Sequence, residues 1–103
     1  MESTIAGHTV GVNSEGYMTD MNQWNGEIAS ELASQLGVGE LTEKHWAVLN
    51  WLREQHANGV EVNIRKVGSS GICDIKEFYI LFPNGPLKNA SKIAGLPKPT
   101  SCL

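Results

Sequence analysis

Two stretches with helical spacing, each followed by a glycine, occupy much of the first sixty residues. In the first stretch apolar side chains recur at every fourth position, which places them on one face of a helix. Gly37 stands where that helix would end. The pattern predicts a single amphipathic helix over residues 21–36. Its apolar side chains are Trp24, Ile28, Leu32 and Leu36.

The second stretch, "LTEKHWAVLNWLREQHANG", carries helix signals at both ends. Thr42 is a suitable N-cap, Glu43 places a negative charge near the positive end of the helix, and Gly59 terminates it. We therefore expect a second helix with a buried stripe, and we expect the tryptophans to be core or groove residues. The stripe consists of Val48, Leu49 and Leu52, flanked by Trp46 and Trp51.

Segments on either side of these helices complete the predicted fold. The β-prone runs 4–12 and 17–19 flank a turn-rich tetrapeptide at 13–16, which predicts a short N-terminal hairpin. Farther along, "NIRKV" and "CDIKEFYILF" are separated by "GSSG" and predict two short helices in a helix-turn-helix outline. Cys73 or Asp74 caps the second of these, and Pro83 ends it. The segment "LKNASKIAG" then adds one or two helical turns.

The last eight residues, "LPKPTSCL", cannot be helical because Pro97 and Pro99 forbid it. We expect a semi-stiff extended arm that carries Cys102 on the order of 20 Å from Gly95, at about 3.1 Å per residue. The predicted organisation is a helical domain over residues 1–95 and a mobile C-terminal arm over residues 96–103. The fold class is mainly α (α+β), with a hairpin, a helical bundle and this arm.

Composition and charge limit the possible settings of the chain. Its 103 residues are 41% hydrophobic, which suits one small domain. No apolar run is long enough for a bilayer and no secretory signal is visible, so we expect a cytoplasmic protein with two free thiols. The net charge is −3, yet residues 65–103 hold six basic side chains and two acidic ones. This basic third is either a docking surface for an acidic partner or plain solvated surface.

Conventional enzyme chemistry has no visible motif in this sequence. His45 and His56 share a helix but stand about 16 Å apart at 1.5 Å per residue, and His8 lies in the hairpin. No zinc-type spacing, phosphate loop, dinucleotide fingerprint or nucleophile elbow is present. The sequence therefore predicts neither a metal nor a cofactor.

The C-terminal run "LFPNGPLKNASKIAGLPKPTSCL" resembles the DsrC/TusE family of small sulfur carriers. Weaker likeness lies upstream, in "EGY", "KHW" and "IRKV". The resemblance implies a mostly helical fold, a mobile arm, and sulfur carried on the penultimate cysteine, here Cys102. One branch of the family feeds tRNA 2-thiolation. The other serves dissimilatory sulfite reductase and has a second arm cysteine that forms a trisulfide with the first.

Ser91 stands where the resemblance would place that second cysteine. A hydroxyl cannot hold the far end of a trisulfide, which argues against the sulfite-reductase branch. The compact segment between Gly59 and Phe82, in contrast, is similar to members of that branch. Both branches therefore stay open, with sulfite reductase or a tRNA thiouridylase among the expected sulfur-relay partners.

The remaining candidate residues have competing interpretations. Cys73 is either an auxiliary thiol, with a pKa lowered by a helix start, or a small semi-buried residue, and the second interpretation is favoured. The basic residues could dock an acidic partner, and Arg65 could bind a sulfur anion. These docking candidates are Arg65, Lys88, Lys92 and Lys98.

Two other functions compete with a sulfur carrier. A DNA-binding regulator would use the helix-turn-helix outline at 62–82, although the charge of −3 disfavours direct nucleic-acid binding. A regulatory relative would dock sulfur-relay proteins without carrying sulfur.

Overall fold

The computed structural model describes residues 1–99, which form a two-stranded antiparallel sheet followed by five α-helices. The mainly helical fold with a small N-terminal β element is therefore confirmed. No helix in this part of the chain has the length and apolar character needed to cross a membrane. The elements are β1 (Glu2–Ile5), β2 (His8–Gly11), α1 (Gly26–Gln35), α2 (Glu43–Ala57), α3 (Ile64–Gly68), α4 (Ile75–Leu81) and α5 (Pro86–Ile93).

The predicted turn at residues 13–16 is present, but the chain also reverses within the run 4–12, which was predicted as one β-prone segment. The register pairs Glu2 with Gly11 and Ile5 with His8, so the chain reverses at Ala6 and Gly7. Both of those residues have positive φ, 51° and 82°, the combination that a type I′ hairpin turn requires. The tetrapeptide at 13–16 makes a second reversal, closed by the isolated bridge between Val12 and Met18.

The helix predicted over residues 21–36 is interrupted. A 3₁₀ turn covers Met21–Gln23, and α1 begins only after Asn25, whose side chain accepts a hydrogen bond from the Ile28 N–H at 2.9 Å. Asparagine is a strong N-cap, and here it starts the helix later than the apolar spacing predicts. Trp24 is thereby left outside α1 and free to contact another element.

Helix α2 matches its prediction closely. It begins after Thr42, and its buried residues include Val48, Leu49 and Leu52. His45 is buried as well: its Nδ1 accepts the Thr42 N–H at 3.0 Å, and its Nε2 lies 2.8 Å from the Leu81 carbonyl oxygen. Because a carbonyl only accepts, Nε2 carries the proton. The ring thus caps α2 and joins it to the end of α4.

The two short predicted helices are α3 and α4. Asp74 is the N-cap of α4, since its carboxylate accepts the Glu77 N–H at 2.7 Å, and Phe82 follows the last turn, directly before Pro83. The one or two helical turns predicted for the segment 87–95 form α5, which begins at Pro86, one residue earlier than that segment.

Helix α5 lies at the centre of the molecule and contacts α1, α2 and α4. Most of its residues are buried, so the helix is held in the core along its length. The segment that leads into the arm is therefore part of the core. The buried residues of α5 are Pro86, Leu87, Ala90, Ser91 and Ile93.

Candidate functional site at the root of the arm

Cys102, the predicted sulfur-bearing residue, lies outside the described residues. The part of the arm that the structure describes, Leu96 to Pro99, has no helix or strand. Leu96 is buried in the core cluster, whereas Pro97 and Lys98 are exposed. The site that can be built is therefore the root of the arm, where the chain leaves α5.

The end of α5 is a Schellman motif. The Leu96 N–H donates to the Ser91 carbonyl at 3.0 Å, and the Gly95 N–H donates to the Lys92 carbonyl at 3.2 Å. Gly95 adopts the left-handed conformation, with φ of 71°, that this motif requires. The backbone thus turns away from the helix at a defined residue.

Two side chains bind the last carbonyls of α5. The Trp24 Nε1–H donates to the Ile93 carbonyl at 2.7 Å, and Arg53 Nη1 donates to the Ala94 carbonyl at 2.7 Å. The Arg53 guanidinium lies 4.2 Å from the centre of the Trp24 ring, and its Nη2 also donates to the Met21 carbonyl at 3.1 Å. A cation at a helix C-terminus is favourable for the helix dipole.

Gly95 completes this contact because Trp24 packs directly against it. A Cβ atom at position 95 would lie 2.5 Å from Trp24 Cδ1, far inside van der Waals contact. We call Trp24, Arg53 and Gly95 the arm anchor. Burial lowers the pKa of Arg53 from its ordinary value, but an arginine retains its charge in proteins.

Two of the predicted docking lysines lie beside the turn at residues 13–17. Lys98 Nζ forms an ion pair with Glu15 at 3.0 Å, and Lys92 Nζ lies 4.8 Å from the centre of the Tyr17 ring. Burial raises the pKa of Tyr17, while the positive charge of Lys98 opposes that rise. The structure therefore brings Lys92 and Lys98 to the arm root. Their ion-pair and cation–π contacts are partly exposed, and such contacts contribute about 0.2–1 kcal/mol.

Ser91, the position of the missing second cysteine, lines a cavity of about 350 Å³ at the arm root. Its side chain is on the buried face of α5, and the residue is only 4% exposed. The cavity lies between the C-terminal part of α2, the loop after it and the arm, so Ser91 faces the segment that carries Cys102. The other lining residues are Leu52, His56, Gly59, Val60, Glu61, Val62, Leu96, Pro97, Lys98 and Pro99.

Arg65 and Lys88 lie away from this cavity. Arg65 is exposed on α3 and Lys88 is exposed on α5, and neither is among the cavity's lining residues. The structure thus separates the four docking candidates into two at the arm root and two elsewhere. A docking role for Arg65 and Lys88 stays a prediction.

Cys73 is buried directly before α4, with 6% of its surface exposed. Burial raises the pKa of its thiol above the ordinary 9.0, and Glu77 adds to the rise while Lys44 opposes it. The structure therefore favours the second interpretation of Cys73, a small buried residue. A role as auxiliary thiol for Cys102 stays a prediction. Among residues 1–99, no three His, Cys, Asp or Glu side chains are grouped as a metal site would require.

The model of the family "DsrC like protein" matches residues 4–103, nearly the entire chain. The chain belongs to the DsrC-like family. It is 38% identical to the sulfurtransferase TusE of Pectobacterium atrosepticum, over 94% of this chain and 95% of that relative. It is 31% identical to the gamma subunit of dissimilatory-type sulfite reductase from Nitratidesulfovibrio vulgaris, over 99% and 98% of the two chains.

Solved structures of DsrC-like proteins have the same fold. A chain in the crystal structure of dissimilatory sulfite reductase I superposes with a TM-score of 0.86 at 32% identity. The solution structure of Allochromatium vinosum DsrC superposes with a TM-score of 0.81 at 37% identity. Both comparisons cover 100% of each chain.

Sequence reasoning missed the arm anchor of this DsrC-like protein. Arg53 follows Leu49 by four residues, which puts a charged side chain close to the buried stripe of α2. A charge near a buried face needs a partner, so this position could have been singled out. Its actual partners, at Met21 and Ala94, are distant in sequence and were not predictable from spacing.

Gly95→Ala tests the anchor, and Gly37→Ala is the matched control. Both glycines have positive φ, 71° and 77°, but nothing lies within 4 Å of a Cβ at Gly37. We expect Gly37→Ala to lower the free energy of unfolding by about 1 kcal/mol through backbone strain alone. Gly95→Ala should cost about 2–4 kcal/mol, because overpacking against Trp24 is added to that strain. Urea unfolding followed by circular dichroism measures both, and equal losses would contradict the anchor.

Because the thiol of Cys73 is buried, we expect it to react slowly with thiol reagents. In a Cys102→Ser variant, we expect Cys73 to react with Ellman's reagent at neutral pH at least about tenfold more slowly than in the same variant unfolded in urea. Since its pKa is raised above 9.0, the folded protein should keep gaining reactivity at pH values where the unfolded thiol is already ionised. Equal rates in the folded and unfolded states would show that Cys73 is accessible.

Proposed function

We propose that this protein is a sulfur-relay carrier in which Cys102 accepts and donates persulfide sulfur while the helical body selects the partners. The observation that carries the proposal is the family match over residues 4–103, a span that includes Cys102. The relatives bear the names of a sulfurtransferase and a sulfite reductase subunit, and both names belong to sulfur metabolism.

The transfer step needs one thiolate and no cofactor. The Cys102 thiolate attacks the outer sulfur of a donor persulfide, a new S–S bond forms, and the donor's own S–S bond breaks as the donor leaves as a thiolate. Cys102 then holds the persulfide. In the second half of the cycle an acceptor thiolate attacks that outer sulfur, and Cys102 leaves as a thiolate, so no net oxidation occurs.

The geometry of the arm root supports this role. The arm anchor fixes the point at which the chain leaves α5, and the prolines at positions 97 and 99 stiffen the segment beyond it. A carrier of this design presents its thiol from a constant position on the body while the tip enters a partner's active site. Lys92, which lies over the Tyr17 ring, gives the arm root a positive charge that suits an acidic partner surface.

With Ser91 in place of a second arm cysteine, Cys102 is the one thiol of the arm that can hold sulfur. It lines the cavity beneath the arm, but its oxygen cannot form an S–S bond. The carrier therefore passes a persulfide from partner to partner instead of closing a trisulfide on itself. The proposed partners are a sulfur donor and a sulfur acceptor protein in the cytoplasm, with a sulfite reductase or a tRNA thiouridylase among them.

Mass spectrometry of the intact protein tests the proposal. After incubation with a persulfide donor, such as glutathione persulfide, the wild type should gain the mass of one or more sulfur atoms. The gain should disappear on treatment with a reductant and should be absent in Cys102→Ala. Cys73→Ala is the matched control and should load like the wild type, since its thiol is buried.

An unmodified wild-type protein in this experiment would contradict the carrier function. It would favour instead a regulatory relative that docks relay proteins without accepting sulfur. Loading that persists in Cys102→Ala and disappears in Cys73→Ala would move the function to the other thiol.

A further inference from the structure

Helix α4 exposes an apolar stripe on an otherwise polar surface. In the described chain, three of the five large hydrophobic residues that are exposed lie on this seven-residue helix. They are Ile75, Tyr79 and Ile80, with exposed fractions of 44%, 49% and 70%. Single exposed apolar residues are ordinary, but a concentration of them marks an interaction site.

The three residues lie on the exposed side of α4, where Ile80 stands about 140° around the helix from Ile75 and Lys76 lies between them. The apolar surface reaches α3 through Ile75. Ile75 and Tyr79 are four residues apart and therefore neighbours on the helix surface, as are Lys76 and Ile80. Ile75 also packs on Gly68 of α3, where an added Cβ would lie 2.6 Å from Ile75 Cγ1. We call Ile75, Tyr79 and Ile80 the α4 stripe.

Charges of both signs surround the α4 stripe. Asp74 is exposed directly before Ile75, and Glu77 is paired with Lys44 at 2.6 Å, which leaves Lys76 and Arg65 as the nearby cations of the described chain without such a pairing. Lys76 is exposed beside Ile80, and Arg65 is exposed on α3, three residues before Gly68 and so on the same side of that helix. Within residues 1–99 neither cation forms an ion pair with a carboxylate. The surface therefore combines aliphatic and aromatic side chains with cations available to a partner.

We infer that the α4 stripe, with Lys76 and Arg65, is the docking surface for a protein that delivers sulfur to this carrier. The inference rests on the proposed function. The partner's contact surface has aliphatic side chains surrounded by carboxylates, because this composition complements both the apolar and the positive parts of the stripe. Since α4 packs against α5, a partner seated on α4 lies next to the helix from which the arm extends.

Two other occupants fit the surface less well. The exposed face of α4 is the position of a recognition helix in the helix-turn-helix outline, but reading DNA requires hydrogen-bonding and basic side chains where α4 has Ile75, Tyr79 and Ile80. A second copy of this chain, joined through the same surface about a twofold axis, would bring each Lys76 close to its counterpart. An acidic protein partner avoids both conflicts.

Loading rates from two sulfur sources test the inference. Purified, reduced protein is added to an extract of the cells that make it, supplied with cysteine and thiosulfate, and the initial rate of persulfide formation is followed by intact mass. The same variants are loaded separately with glutathione persulfide, which needs no docking. We expect Ile80→Ser to load about tenfold more slowly from the extract, as truncation of a central contact residue does, and at the wild-type rate from glutathione persulfide.

Charge variants and a surface control sharpen the result. Lys76→Glu should slow loading from the extract as Ile80→Ser does, while Lys76→Arg should retain the wild-type rate because it keeps the positive charge. Ala47→Ser, on the exposed face of α2, is the control for an altered surface and should have no effect. Each variant must have the circular dichroism spectrum and the melting temperature of the wild type, so that a change in loading rate reports on docking and not on unfolding.

The outcomes separate this inference from the proposed function. Equal loading of Ile80→Ser and wild type from the extract would overturn the docking surface, as would a wild type loaded by glutathione persulfide but not by the extract. A dimer abolished by Ile80→Ser, or duplex DNA binding abolished by Lys76→Glu, would assign the surface to another occupant and also overturn it. Loading from neither sulfur source would instead overturn the carrier function itself.

Discussion

The structure depends on how the C-terminus of α5 is held. Trp24 and Arg53, from two different parts of the chain, donate to the last two carbonyls of that helix, and Gly95 leaves space for the Trp24 ring. These hydrogen bonds satisfy groups that an ordinary helix end leaves to water. They also tie together the 3₁₀ turn, α2 and α5, so that the segment preceding the arm belongs to the core.

The proposed sulfur carrier benefits from an arm whose root is fixed to the body. If the last helix were loosely attached, docking of a partner on the body would not determine where the thiol arrives. With the arm anchored at Gly95, a partner bound to the body meets the tip within a limited volume, which raises the effective concentration of the thiol. In the proposed carrier, the docking surface on α4 and the thiol of Cys102 are thus linked through α5.

Much of this fold is predictable from local sequence, and the exceptions have physical causes. Helix α2 follows from its Thr42 cap and its stripe of Val48, Leu49 and Leu52. The first helix was predicted too long because Asn25 caps it internally. The turn at Ala6 and Gly7 was missed because it needs a positive φ that alanine seldom adopts. The arm anchor joins Trp24 to Ile93, 69 positions away, and Arg53 to Ala94, 41 positions away. The periodicity of apolar residues contains no information on pairs so distant in sequence.

Amide hydrogen exchange at Leu96 is the most direct test of the anchored root. Its N–H donates to the Ser91 carbonyl, so the account predicts protection comparable to that of Ala94 in the last turn of α5. In Trp24→Phe, which removes the indole donor, protection at both amides should fall while α4 is unaffected. Exchange of the wild-type Leu96 amide at the rate of an unstructured peptide would contradict the account, because the arm would then begin inside α5 and its root would not be fixed.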